Sequence, residues 1–151
     1  MELNAVNDFV IRFANVNGSG SASANNLFSK SVFKMGVPVS PKNIFPSNIQ
    51  GLPTWYEVRV SEKGYLGRRS GIDIIVAVNP QSIDKDIMSI KEGGYLIYDS
   101  SKKLHPSQIR PDINYIGIPM INICMEHFPI PRQQQLFKNI LYVMLKSYIY
   151  S

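Results

Sequence analysis

The sequence contains a single cysteine, Cys124, among its 151 residues. One cysteine cannot form an internal disulfide, and the chain has no cysteine cluster that could bind zinc or an iron–sulfur centre. Long hydrophobic runs are also missing, since the apolar run at residues 74–78 is too short to span a bilayer. The first residues lack the basic start and apolar core of a signal peptide. We therefore expect a cytoplasmic protein that does not contact a membrane.

Acidic side chains are absent from residues 9–56, a span that carries Arg12, Lys30, Lys34 and Lys42. The whole chain has 16 Lys and Arg against 11 Asp and Glu, a formal charge of +5. This balance favours acidic partners, such as a nucleotide-like cofactor, nucleic acid or an acidic protein surface. Charged residues make up only 18% of the chain, below the roughly 25% typical of soluble domains. A low charged fraction indicates that part of the surface is an interface.

Strands and helices are predicted to alternate along the chain. Strand patterns occur at residues 9–14, 37–44, 55–61, 72–78, 95–98 and 115–118. The strand at 55–61 is predicted to be half-exposed, and the one at 72–78 to be buried on both faces. The prolines in residues 37–44 predict that this strand lies near an edge of the sheet. Helices are predicted at residues 24–35, 82–90 and 132–150. In the first of these, Leu27, Phe28, Val32 and Met35 form the predicted buried stripe, and Gly36 ends the helix. A turn is predicted at Gly93 and Gly94.

This alternation predicts a single α/β domain over residues 1–151, a three-layer sandwich with helices on both faces of a mostly parallel or mixed sheet. No helix stop follows Tyr150, so we expect the domain to be incomplete at its C-terminal end. Ligands of α/β sheets bind at the carboxyl ends of the strands. Residues 17–21, 79–80 and 99–101 should therefore gather along one edge as the candidate site.

The loop Gly18-Ser19-Gly20-Ser21 follows a predicted strand and opens a predicted helix, the order that cradles phosphate. The loop lacks the third glycine of a dinucleotide-binding motif, and no Asp or Glu follows about 20 residues later to bind a ribose hydroxyl. The Gly-Lys-Ser or Gly-Lys-Thr sequence of a nucleoside triphosphate site is also absent. Unpaired backbone N–H groups at such a turn can bind an anion. The alternative is a tight turn in which serine caps the helix.

Nucleophilic catalysis finds no support, because His105 and His127 lie in proline-containing segments without a nearby nucleophile. We expect no catalytic residue and no metal ligand in this chain. Asp99 ends a strand, where it either caps a turn or binds a ligand. Arg59 alternates with two valines and is predicted to face outward, as solvated charge or as an anion clamp. Nucleic acid is not expected, because no RNP-like motif is present.

Two segments carry a family resemblance: residues 13–26, FANVNGSGSASANN, and residues 40–59, SPKNIFPSNIQGLPTWYEVR. They resemble the gamma domain of 2-oxoacid:ferredoxin oxidoreductases, especially the 2-oxoglutarate form in which this domain precedes the alpha subunit. Residues 72–80 and 93–101 continue the match. The resemblance implies a share in oxidative decarboxylation of a 2-oxoacid to acyl-coenzyme A, with electrons passed to ferredoxin. It also implies a domain that is inactive alone and covers the active site.

Within that resemblance, coenzyme A is the cofactor that this chain would face, whereas thiamine diphosphate and iron–sulfur clusters would lie in the alpha and beta partner subunits or domains. The residues expected to face the cofactor are Asn17, Gly18, Ser19, Gly20, Ser21, Asn48, Gln50, Gly51, Pro53 and Thr54, with Lys42 or Arg59 near the coenzyme A phosphates. The alternative is a non-catalytic assembly module or a stand-alone phosphate- or nucleotide-binding module.

Overall fold

A six-stranded mixed sheet forms the centre of the computed structural model, which describes residues 8–16, 21–46, 51–67, 70–127 and 129–131. The strands are β1 (Asp8–Val16), β2 (Val39–Ile44), β3 (Pro53–Ser61), β4 (Ile72–Ala77), β5 (Ile90–Asp99) and β6 (Asn114–Ile118). Their order across the sheet is β2-β3-β1-β4-β5-β6. Strands β1, β4, β5 and β6 run parallel, while β3 is antiparallel to both β1 and β2. The prediction of a mixed sheet is confirmed.

Helices cover both faces of this sheet. Phe9, Ile11 and Phe13 of β1 pack in one core with residues of α1 (Ser21–Lys34) and α3 (Met120–His127). Val10 belongs to the opposite core, which contains Ile87 of α2 (Ile83–Ser89). Because successive strand residues point to opposite faces, β1 supplies both cores. The predicted three-layer sandwich is therefore confirmed.

The buried face of α1 differs from the predicted one. Phe28 and Val32 are buried as expected, but Leu27 is 58% exposed and Met35 is 69% exposed. The face turned to the sheet includes Asn25 and Ser29 instead, at the three- and four-residue spacing of one helix side. The prediction for Leu27 and Met35 was wrong because it counted only apolar side chains. The end of the helix was correct, and Gly36 follows it with a φ of 85°.

Strand β3 is not half-exposed, which corrects a second prediction. Every residue after Pro53 in this strand is buried. The strand lies inside the sheet, between β1 and the edge strand β2. An alternating pattern separates the two faces of a strand, but it does not reveal whether both faces are covered. The edge position predicted for β2 and the buried position predicted for β4 are both confirmed.

Strand β5 continues through Gly93 and Gly94 rather than beginning after a turn there. The extra residues are absorbed by a shift of register, since Ile72 pairs with Ile90 whereas Ile74 pairs with Tyr95. Gly93 takes a φ of 76° at this irregularity, a conformation that glycine adopts without a steric penalty. The two glycines therefore mark a bulge, not a turn.

Helix α3 was not predicted from the sequence. Its first N–H groups are capped by Asp99, 21 residues away from Met120, and such a distant cap leaves no local signal. Residues 132–150, where the last helix was predicted, lie outside the described residues. Across the described ranges, no helix combines the length and the apolar character that crossing a bilayer requires.

Candidate functional site

A cleft lies where α1 begins, beside the ends of strands β1, β2 and β3. It consists of two adjacent cavities of about 430 and 420 Å³ that share Ala22, Asn43 and Tyr56 in their walls. We call this space the α1 cleft. Its other lining residues are Asn15, Val16, Ser21, Ser23, Asn25, Asn26, Pro41, Phe45, Thr54 and Trp55.

Strand pairing brings the two resemblance segments to this cleft. Asn15 pairs with Thr54 and Val16 pairs with Pro53 in the antiparallel β1–β3 ladder. Helix α1 begins at Ser21, and both Ser21 and Thr54 line the cleft. Gly51 has a φ of 88°, the left-handed region that favours glycine. The predicted site residues Asn17, Gly18, Ser19, Gly20, Asn48 and Gln50 lie outside the described residues.

Two buried polar side chains in the cleft wall have hydrogen-bonding capacity to spare. Asn25 is 5% exposed and Thr54 is 7% exposed. Neither side chain forms a hydrogen bond with another residue in the part of the chain that the structure describes. Buried polar groups in folded proteins are usually hydrogen-bonded. The pair therefore suits a ligand or water that occupies the cleft.

Tyr56 fixes the floor of the cleft against α1. Its hydroxyl lies 3.0 Å from the Ser29 hydroxyl, a buried hydrogen bond between β3 and the helix. The ring also packs near Phe13, with 6.4 Å between centroids, and Phe13 contacts Phe28 edge-to-face at 5.8 Å. Sequence reasoning missed Asn25 and Tyr56. Asn25 shares the helix spacing of Phe28 and Val32, and that spacing could have identified it.

The electrostatic environment at the start of α1 favours an anion or a polar neutral group. The first turn of the helix contains no acidic residue, and its last turn carries Lys34. The N-terminus of a helix bears a partial positive charge and N–H groups without intrahelical partners. None of the described lining residues of the cleft is charged. No carboxylate among them would therefore repel a negatively charged guest.

Arg59 and Lys42 lie on the other face of the sheet, where they line a cavity of about 40 Å³ with Glu57. The prediction that Arg59 faces outward is wrong, because the residue is only 8% exposed. Its guanidinium donates to the carbonyls of Phe9 and Val60 and pairs with Asp8. The ammonium of Lys42 forms no ion pair within the described residues and is exposed on the edge strand.

A buried network on the α2 side supports the cleft wall. The Trp55 indole N–H donates to Asp86 at 2.7 Å, and the Ser82 hydroxyl donates to the second carboxylate oxygen at 2.7 Å. Burial raises the pKa of Asp86, and the hydrogen bonds from Ser82 and Trp55 oppose that rise. Asn79 joins the ends of β1 and β4, since its amide donates to the Asn15 carbonyl at 3.3 Å. The sequence had predicted that residues 79–80 lie at the edge formed by the strand ends.

Asp99 acts as a helix cap. Its carboxylate accepts N–H hydrogen bonds from Ser101, Met120 and Ile121, the capping role that was one of its two interpretations. Asp99 lines a separate cavity from Ser21, so the predicted site residues divide between two spaces at this edge. His105 is exposed beside Ser107. The described residues contain no group of three His, Cys, Asp or Glu placed to hold a metal ion.

A sequence profile described as pyruvate ferredoxin/flavodoxin oxidoreductase matches residues 10–148, and so includes nearly the whole chain and every described wall of the cleft. The chain belongs to this family. The resemblance drawn from residues 13–26 and 40–59 is thereby confirmed. Among curated proteins, the chain is similar to subunit alpha of 2-oxoacid:ferredoxin oxidoreductase 2 from Aeropyrum pernix, with 28% identity over 86 residues. That match covers 57% of this chain and 13% of the relative.

Solved structures of this family share the fold. The 2-oxoglutarate:ferredoxin oxidoreductase of Magnetococcus marinus, with 2-oxoglutarate, coenzyme A and succinyl-CoA bound, superimposes with a TM-score of 0.73 at 23% identity, covering 87% of this chain and 23% of that one. The gamma subunit of a keto/oxoacid ferredoxin oxidoreductase from Geobacter sulfurreducens gives 0.68 at 21% identity, covering 89% and 73%. A pyruvate oxidoreductase subunit from Thermotoga maritima gives 0.63 at 17% identity, covering 87% and 74%.

Proposed function

We propose that this chain forms the coenzyme A-facing domain of a 2-oxoacid:ferredoxin oxidoreductase, with 2-oxoglutarate as the acid that is decarboxylated. The observation that carries the proposal is the pair of buried groups, Asn25 and Thr54, whose side chains have no hydrogen-bond partner within the described residues and line a cleft at the positive end of α1. Family membership and the fold shared with a structure that holds coenzyme A and 2-oxoglutarate support it. The domain then covers the active site of an assembled enzyme.

The chain spans 13% of the curated relative and 23% of the Magnetococcus marinus chain. The remaining functions of the enzyme therefore belong to alpha and beta subunits or domains. We assign thiamine diphosphate and the iron–sulfur clusters to those partners, together with the path of electrons to ferredoxin. On this assignment the isolated chain has no activity.

The donor set of the cleft fits coenzyme A. When bound, coenzyme A supplies the thiol that accepts the acyl group. Its pantetheine arm carries amides, and neutral amide and hydroxyl groups such as Asn25 and Thr54 can exchange hydrogen bonds with them. Val16, Phe45 and Trp55 contribute the apolar walls that would exclude water from the arm.

The proposed site also includes the predicted residues of the two resemblance segments. We assign residues 17–21 and 48–54 to the surface that faces the cofactor, since Ser21 and Thr54 already line the cleft. Of the two cations, Lys42 suits a phosphate better than Arg59. Lys42 is exposed on the edge strand β2, on the face of the sheet opposite the cleft, and its ammonium has no partner among the described residues, so it would bind a phosphate that extends past that edge. Arg59 would have to release Asp8 before it could bind a phosphate.

A purely structural assembly module is the second candidate. Leu27 and Phe33 are exposed on α1, and Met35 is exposed just after its end. Exposed apolar side chains grouped on a surface are typical of protein interfaces. The two candidates differ in what the α1 cleft does. Only the first requires the cleft to bind a ligand.

The test is steady-state kinetics of the assembled enzyme carrying Thr54→Val, which removes one hydroxyl at nearly constant volume. Loss of one buried hydrogen bond to the ligand, about 1–2 kcal/mol, should raise the KM for coenzyme A by roughly 5- to 30-fold. Ser89→Ala is the matched control, because that hydroxyl is exposed and donates to the Lys85 carbonyl on α2. An unchanged KM in Thr54→Val, with partners still co-purifying, would leave only the assembly role.

A further inference from the structure

A second cavity, of about 250 Å³, opens at the carboxyl ends of β4 and β5. We call it the β4–β5 cavity. Its apolar lining comes from the end of β4, the segment that follows it, helices α2 and α3 and a loop: Ala77, Val78, Pro80, Ile83, Leu104 and Ile121. The volume lies just below the roughly 300–1,000 Å³ that holds drug-sized ligands. The space therefore suits a molecule with a small apolar body, about the size of one ring.

Two of the residues that line this cavity are lysines, and neither forms an ion pair with a carboxylate among the described residues. Lys102 and Lys103 both line it and are exposed. Neither lysine forms an ion pair within the described ranges. Asp99 also lines the cavity, but its carboxylate is already held by the N–H groups that it caps. The charge presented to a guest is therefore positive.

Tyr98 contributes a hydroxyl group, and packing against the neighbouring strand β6 fixes the position of its ring. Its ring lies beside Gly117 on β6, where an added Cβ would come within 3.0 Å of the Tyr98 hydroxyl and 2.9 Å of Ser100 Cβ. Tyr115 holds the ring edge-to-face, with centroids 6.5 Å apart at 83°. The Tyr98 hydroxyl has no hydrogen-bond partner among the residues that the structure describes. It is thus free to donate to an acceptor.

The side-chain amide of Gln108 also lines the cavity, but it is not available to bind a ligand. It donates to Asp84 at 2.7 Å, and its oxygen accepts from the His105 N–H at 2.9 Å. The polar groups that remain for a ligand are therefore two ammonium groups and one phenol. All three can donate to an anion, and the lysines have no acceptor at all.

We propose that the β4–β5 cavity binds a small amphipathic anion, with its apolar body against Ile83, Leu104 and Ile121 and its carboxylate or phosphate at Lys102 and Lys103. The Tyr98 hydroxyl donates to the same anionic group or to the linker that carries it. A neutral molecule of the same shape leaves both lysines unpaired and gains only the apolar contact. This binding is independent of the coenzyme A-facing role proposed for the α1 cleft.

Calorimetric titration of the full chain, in the complex with which it purifies, tests the proposal. The probes are phenylacetate and phenyl phosphate, which separate a carboxylate from a phosphate source, and their controls are phenylacetamide and acetate. Phenylacetamide keeps the ring without the charge, and acetate keeps the charge without the ring. We expect at least one ring-bearing anion to bind about tenfold or more tightly than either control.

Lys102→Ala with Lys103→Ala should weaken that binding by about tenfold or more, since both cations are removed from the cavity. Lys30→Ala with Lys34→Ala is the matched control, because these lysines are exposed on α1 and do not line the cavity. Tyr98→Phe should weaken binding severalfold while leaving the ring in place. Binding that falls equally in both double variants would reflect bulk charge alone and would overturn the proposal. So would the absence of heat with both ring-bearing anions.

Discussion

The indole N–H of Trp55 donates to Asp86 Oδ1 over 2.7 Å and so joins β3 to α2. The other carboxylate oxygen accepts from Ser82, and the Lys85 ammonium lies 4.9 Å from the centroid of the indole ring. Trp55 also lines the α1 cleft. A buried acid on one layer of the sandwich therefore holds in place a wall residue of the candidate site.

Asp86→Ala should lower the free energy of unfolding by about 1–3 kcal/mol, because it leaves the Trp55 N–H and the Ser82 hydroxyl without their acceptor. Trp55 is the sole tryptophan of the chain, so denaturant unfolding followed by its fluorescence reports on this contact. Glu92→Ala serves as the control, since Glu92 is exposed and its side chain forms no ion pair or hydrogen bond within the described residues, and it should change stability by less than about 0.5 kcal/mol. Equal effects of the two variants would contradict the prediction.

The titration of Asp86 should appear in the pH dependence of stability. Because burial raises its pKa in the folded state, the folded protein binds a proton more readily than the unfolded chain does. The resulting stability is fully present below the ordinary aspartate pKa and is lost as pH rises through the raised value. Asp86→Asn cannot titrate, so wild type should lose stability relative to this variant as pH rises from about 4. If the free energies of unfolding of the two proteins, measured with urea, change in parallel with pH, the prediction is wrong.

Two hydroxyl deletions beside the cleft should have opposite consequences for the isolated fold. Thr54 has a buried hydroxyl without a described partner, so Thr54→Val should leave stability unchanged or raise it by up to about 1 kcal/mol. The Ser29 hydroxyl is bonded to Tyr56, so Ser29→Ala should lower stability by about 1 kcal/mol. Thermal unfolding of both variants without ligand provides the comparison. A loss for Thr54→Val as large as that for Ser29→Ala would show that the Thr54 hydroxyl is satisfied internally.

Gly94→Ala should destabilise the protein by about 1–3 kcal/mol through overpacking. A Cβ at this position would lie 2.6 Å from Ile90 Cγ2 and 2.8 Å from the Asp73 carbonyl oxygen, and the backbone atom cannot move away at low cost. Gly67→Ala is the control, because no atom lies within 4 Å of the added Cβ and no positive φ is required there. Denaturant midpoints measure both variants. Tolerance of alanine at Gly94 would mean that the bulge in β5 can relax.

Much of this fold can be predicted from local patterns, and the errors share one cause. The apolar run of β4 and the stop at Gly36 are local signals, and both were correct. Arg59 was assigned to the surface because alternation carries no information about Asp8, the ion-pair partner 51 residues away. Helix α3 was missed because its cap is equally distant.

The candidate site shows the same division between local and distant information. Ser21 and Thr54 were found because they belong to recognisable segments, and both line the cleft. Asn25 and Tyr56 were missed because their burial depends on how α1 packs against β3, and that packing is set by the strand pairing and not by either segment alone. Arg59 and Lys42 were predicted to lie near the coenzyme A phosphates only because they are positively charged. The sheet places Arg59 and Lys42 on its opposite face.

The position of β1 has a consequence for biosynthesis. This strand is made first but lies between β3 and β4, with Val10 paired to Arg59 and Ile11 paired to Ile74. In a nascent chain β1 can pair with β3 once residue 61 has left the ribosome, but its second edge stays open until about residue 77 has followed. Pairings this distant in sequence form slowly and expose strand edges meanwhile. Chaperone demand during translation should accordingly peak before β4 emerges and fall once it has docked.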